Sequence, residues 1–182
     1  MITTRRLGFT EAIRRGMSPS HFGSTRARAR RSEFWWCALF CVMCMSVIDG
    51  AIYLLREHTE MSSSVLDNAG IILNIYFVVS FYSCMTRRIH DIGRTPTLLN
   101  LAVALGCMAI PLSVVDMHIG LIFPKELRIC MQAVATVSFV ATLVICTYDS
   151  EKGKNRYGYS DKYIDEEDNP HCFDKLYDEY KI

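Results

Sequence analysis

The 182-residue chain is 51% apolar and 21% charged, with a formal net charge of +1 at pH 7. That length suits a single domain, but the averages conceal a segregated sequence in which an apolar stretch from Phe34 to Tyr148 lies between a basic N-terminal segment and an acidic tail. Such segregation excludes an ordinary soluble protein, and the acidic sign of the tail speaks against nucleic acid as a partner.

Residues 1–33 carry eight Arg against Glu11 and Glu33. Phe9, Ile13 and Met17 recur at helical spacing between arginines, which predicts an amphipathic helix lying on an anionic inner leaflet. The same Arg-rich, acid-poor composition fits a mitochondrial transit segment, the minority alternative for localisation. Four membrane spans are then expected, at residues 34–55, 69–85, 98–119 and 127–148, because each approaches the ~20 apolar residues that cross a bilayer as helix. Spans one and four have almost no polar residues at any helical phase, unlike the two-faced helices of a soluble bundle. The first span begins too late, and is too long, for a cleaved signal peptide, so it reads as a signal anchor.

Arginine asymmetry sets the expected orientation. The N-terminal segment and the connection holding Arg87, Arg88 and Arg94 are basic, whereas residues 56–68 carry Glu57, Glu60 and Asp67 against one Arg. Both termini and the second connection are therefore expected in the cytoplasm. The fold class is an all-α membrane protein: a four-helix transmembrane bundle, with residues 1–33 as a cytoplasmic basic segment and 149–182 as a cytoplasmic acidic tail.

Three short blocks sit at the membrane boundaries on that side: "RARRSEFWW" at Arg28 to Trp36, "RRIHDIGR" at Arg87 to Arg94, and "GKNRYG" at Gly153 to Gly158. In type, order and spacing the three resemble the signature blocks of the bacterial inner-membrane family catalogued as domain of unknown function 805. The resemblance spans roughly Phe9 to Tyr163 and implies a small multi-span protein of the bacterial inner membrane, without implying an activity. Read physically, Ser32 is a candidate N-cap, Glu33 suits the positive end of a helix dipole, and Trp35 and Trp36 suit the headgroup level. Gly93 and Pro96 terminate a helix. If the three blocks converge on one cytoplasmic rim, Glu33, Arg87, Arg88, His90, Asp91, Arg94, Asn155, Arg156 and Tyr157 form either an ion-pair cluster or a pocket for an anion such as a phospholipid headgroup, since arginine suits bidentate carboxylate and phosphate pairing.

A second group of polar residues falls at one depth within the spans: Asp49, Asn74, Asp116 and Gln132, with His118 and Arg128 just above. Intramembrane carboxylates normally face the bundle interior, so this layer is expected to act as interhelical glue or as an outward-opening vestibule. Cys37, Cys41 and Cys44 share a helical face among apolar neighbours, and neither a metal site nor a disulfide is expected there. No P-loop, G-x-S-x-G, H-E-x-x-H or G-x-G-x-x-G motif occurs, so no catalytic residue and no cofactor is expected. The expected function is a non-enzymatic membrane assembly or modulator protein acting with lipid, a membrane-protein partner or a second copy of itself. The alternative is a small-solute or ion transporter using the outer polar layer.

Overall fold

The computed structural model describes residues 2–3, 8–17, 27–59, 62–107, 125–160 and 162–164. Five helices account for nearly all of its regular structure: α1 (Phe9–Met17), α2 (Arg31–His58), α3 (Ser63–Asp91), α4 (Thr97–Cys107) and α5 (Lys125–Cys146). The small departure from an all-α chain is an antiparallel pairing of β1 (Ile2–Thr3) with β2 (Tyr163–Ile164). Among the described residues, α2, α3 and the Ile129–Cys146 part of α5 are long and apolar enough to cross a membrane, which marks a membrane protein. Of the expected third span, 98–119, the described part is helical through Cys107 and the remainder lies outside the described residues.

The chain divides into two compact units, Met1–Gly93 with Ser150–Ile182, and Arg94–Asp149. In the first, α2 and α3 form an antiparallel hairpin, since partners rise on one helix as they fall on the other: Glu33 with Arg87, Asp49 with Asn74, Arg56 with Asp67. Gly70 lets them approach closely, because a Cβ there would meet Ile52 Cδ1. At 1.5 Å per residue both helices exceed ~40 Å, more than the ~30 Å apolar core of a bilayer, so their ends project into the interfacial zones.

The hairpin is inverted relative to a soluble protein. Val47 and Ile72 are 71% and 69% exposed, while Glu33, Arg87, Arg88 and Asp91 are at most 2% exposed. Only a lipid environment makes an outward-facing apolar surface of this kind favourable. α1 seats against this hairpin: Phe9 packs edge-on to Trp36 and Phe40, Gly16 abuts Cys37, and the Tyr76 hydroxyl donates to the Met17 carbonyl. Its charged side pairs Glu11 with Arg14 and Arg15.

One helix cap differs from the sequence expectation, and one helix runs past its expected apolar span to the stop expected at Gly93. α2 begins at Arg31 with Arg30 at the N-cap, so Ser32 lies in the first turn and does not cap. α3 begins before residue 69 and passes through residue 85 to Asp91, which puts Arg87, Arg88, His90 and Asp91 in its last two turns and not in a loop. Intact helix there lets the backbone satisfy itself while the side chains pair. Termination then follows the expected route: Gly93 takes φ +78, its N–H donates to the His90 carbonyl, and Pro96 follows. In the second unit, Arg94 lies over the Tyr148 ring at 6.0 Å, and Ala135, Ser138, Thr142 and Cys146 form a buried stripe along α5.

Candidate functional site

The site lies where α2 begins and α3 ends, and it is assembled from an extended segment, two helix ends and a tight turn. Arg28 is its centre. Its Nε donates to Asp91 Oδ1 (2.9 Å), Nη1 donates to the carbonyls of Gly153 (2.9 Å) and Gly158 (3.0 Å), and Nη2 donates to those of Asp91 (3.1 Å) and Glu151 (2.6 Å). A guanidinium has five N–H donors, and these five bonds use the whole set. One side chain thereby stitches the first block to the second and third.

Asp91 takes the matching role of double acceptor. Its Oδ1 receives Arg28, and its Oδ2 receives Arg88 Nη1 at 2.5 Å, an i,i+3 pair on α3. Arg88 is fully buried and also reaches the Ala29 carbonyl and Ser150 Oγ. Backbone bonds from Ala29 N–H to the Arg87 carbonyl (3.1 Å) and from Glu151 N–H to the Asp91 carbonyl (2.9 Å) lock the flanking segments to the helix end.

The third block folds as a four-residue turn. Asn155 and Gly158 exchange both backbone hydrogen bonds, Asn155 Oδ1 accepts the Tyr157 N–H, and Gly153 and Gly158 take φ +71 and +123. Asn favours such a turn because its side chain can bond the backbone two residues on, and glycine supplies positive φ without steric cost. Asn155 Nδ2 donates in turn to the His90 carbonyl (2.9 Å) and Glu151 Oε2 (3.0 Å). His90 stacks on the Tyr157 ring at 3.7 Å and 10°, and Arg156 lies over the same ring at 4.7 Å. The imidazole stacks on Tyr157 while the Asp91 carboxylate accepts from Arg28 and Arg88.

Arg87 pairs apart from this joint. Its Nη1 donates to Glu33 Oε1 at 3.0 Å between groups that are both 2% exposed. Arg87 Nε and Nη2 are buried without a protein hydrogen-bond partner. The expected rim residues thus divide. Glu33 and Arg87 form one buried pair; Arg88, His90, Asp91, Asn155 and Tyr157 belong to the Arg28 joint; Arg156 is exposed at its edge; Arg94 lies in the second unit. The sequence-derived site omitted Arg28, Ser150 and Glu151. Arg28 opens the first block and was visible there, whereas the backbone carbonyls it binds leave no side-chain signal.

Of the outer layer, Asn74 Nδ2 donates to Asp49 Oδ1 at 2.8 Å. Both line an open α2–α3 cleft of about 730 Å³, which the Arg56–Asp67 ion pair also lines. Gln132 is exposed on α5 in the second unit, its carbonyl accepting the Thr136 hydroxyl. Asp116 and His118 lie outside the described residues, as does the side chain of Arg128. Among the described residues, no cluster of three His, Cys, Asp or Glu side chains is arranged to hold a metal.

On the charged face of α1, Glu11 lies between two arginines. Hydrogen bonds from Arg15 and then Arg14 hold the Glu11 carboxyl below its ordinary value, outweighing a small opposing effect of burial. Compared with known proteins, residues 22–159 match the family model described as "Protein of unknown function (DUF805)". No curated protein and no solved structure matches the chain significantly.

Proposed function

The chain belongs to the DUF805 family, and from that premise we propose that it is a non-enzymatic assembly or modulator protein of the bacterial inner membrane. In this reading it has four spans, with both termini and the Arg28 joint on the cytoplasmic face. The saturation of Arg28 carries it. A guanidinium whose five donors are all spent on Asp91 and four backbone carbonyls has none left for substrate, so the three family blocks work as a fastening that presents a fixed surface to lipid or to other membrane components.

Arg28→Gln tests the fastening. It should lower the melting temperature and the level of protein in membranes; a variant that folds and accumulates normally but loses a cellular activity would mark Arg28 as chemical. Orientation is tested with a reporter active only in the periplasm, which should give signal after Ser63 and none after Ile182. The Asp49–Asn74 pair in its intramembrane cleft supports a second reading, transport of a small cation or proton. Asp49→Asn would then abolish flux in reconstituted vesicles while leaving folding intact.

A further inference from the structure

We infer that Lys152, Lys154 and Arg156, with the tyrosines beside them, form a surface that docks on anionic phospholipid headgroups, an inference that rests on the joint standing at a membrane boundary. The buried arginines of the joint cannot serve this purpose, since Arg28 and Arg88 are spent internally. The exposed cations can. Lys154 lies over the Tyr159 ring at 5.2 Å, Arg156 over Tyr157 at 4.7 Å and Lys152 over Tyr163 at 5.9 Å. Lys152, Lys154 and Arg156 are exposed, as is Tyr159.

Each ring fixes the position of a charge by cation–π attraction and leaves the cation's outward N–H groups able to donate to phosphate oxygens. Tyrosine adds an amphipathic ring of the kind enriched at membrane interfaces. By sequence, residues 151–163 hold four cations against two acids, Glu151 and Asp161, and Glu151 Oε2 already accepts from Asn155. The segment's charge is therefore positive, complementary to an anionic leaflet.

The depth is set independently of the charge. Arg28, Asn155 and the Glu151 N–H fasten this segment to His90 and Asp91 at the end of α3. Trp35 and Trp36, 44% and 39% exposed in the first turns of α2, mark the headgroup level at the same end of the hairpin. Exposed cations held beside such a belt meet lipid phosphates before they meet a soluble anion.

The test uses the full-length protein in neutral detergent, titrated with phosphatidylglycerol or phosphatidylcholine, with bound lipid counted by native mass spectrometry. Wild type should retain phosphatidylglycerol at least about tenfold more tightly, as expected for several cations near an anionic surface. That preference should collapse in K152Q/K154Q/R156Q and persist in R56Q, whose charge lies at the other end of α2. If the triple variant fails to fold, about 0.5 M NaCl on wild type supplies the same readout, because exposed charges are screened. Equal retention of the two lipids by folded wild type, a preference indifferent to salt, or displacement by millimolar inorganic phosphate alone would overturn the inference. None of these results bears on the fastening, whose failure would show instead as normal folding of Arg28→Gln.

Discussion

Glu33→Gln removes one charge from a pair in which both partners are 2% exposed. Gln retains a carbonyl oxygen that can accept from Arg87 Nη1, so the hydrogen bond survives in neutral form while the guanidinium loses its counter-charge. Arg87 Nε and Nη2 already lack protein partners, which leaves the cation little other compensation. Breaking a buried pair from one side costs about 3 to 5 kcal/mol; keeping the hydrogen bond places Glu33→Gln near the lower figure and Glu33→Ala near the upper. At ~2 to 4 °C per kcal/mol for a chain of this size, Glu33→Gln should lower the melting temperature by about 6 to 12 °C. The assay is thermal unfolding of purified protein in detergent, followed by size-exclusion recovery. Glu11→Gln is the control, because its partners Arg14 and Arg15 are 75% and 29% exposed and pairs open to solvent contribute under ~1 kcal/mol. Glu33→Gln/Arg87→Met, which removes both charges, should recover most of the loss. Equal melting of Glu33→Gln and Glu11→Gln, or a double variant as unstable as the sum of the singles, would refute a buried, mutually dependent pair.

Arg28→Lys keeps the charge but replaces five fixed donors with three on a flexible stem, so at least two of the Asp91, Gly153, Gly158 and Glu151 acceptors lose their bonds; a loss of about 1 to 3 kcal/mol per unsatisfied buried group is expected in the same melt. Gly93→Ala places a Cβ against Glu151 at φ +78 and should cost at least about 1 to 2 kcal/mol of left-handed strain, with faster hydrogen exchange at Glu151 as the local readout. Asp49→Asn should be tolerated better than Asp49→Leu, because an amide can still bond Asn74 whereas leucine cannot; yields of folded protein compare them. For Glu11 the depressed carboxyl means that its stabilisation is complete above the ordinary carboxylate value and is lost as pH falls through the lowered one. Proteolytic susceptibility of α1 should therefore rise only at acid pH, and by less in Glu11→Gln.

Residue pattern alone determined the membrane class, the three long apolar helices found among the described residues, the termination at Gly93 and the common depth of Asp49 and Asn74, because length, hydropathy and helical rise are local quantities. It also placed Glu33 within reach of the arginines that end α3. What it left open was which arginine answers: adjacent residues on a helix point about 100° apart, so Arg87 and Arg88 cannot both face Glu33, and the rotation of α3 against α2 assigns Arg87 to it, while Arg88 takes Asp91 at i,i+3 on its own helix. Arg28 is the clearest case. It lies in an extended segment with no periodicity to read, and four of its five acceptors are backbone carbonyls, which every residue type possesses and which only the folded chain brings to one guanidinium.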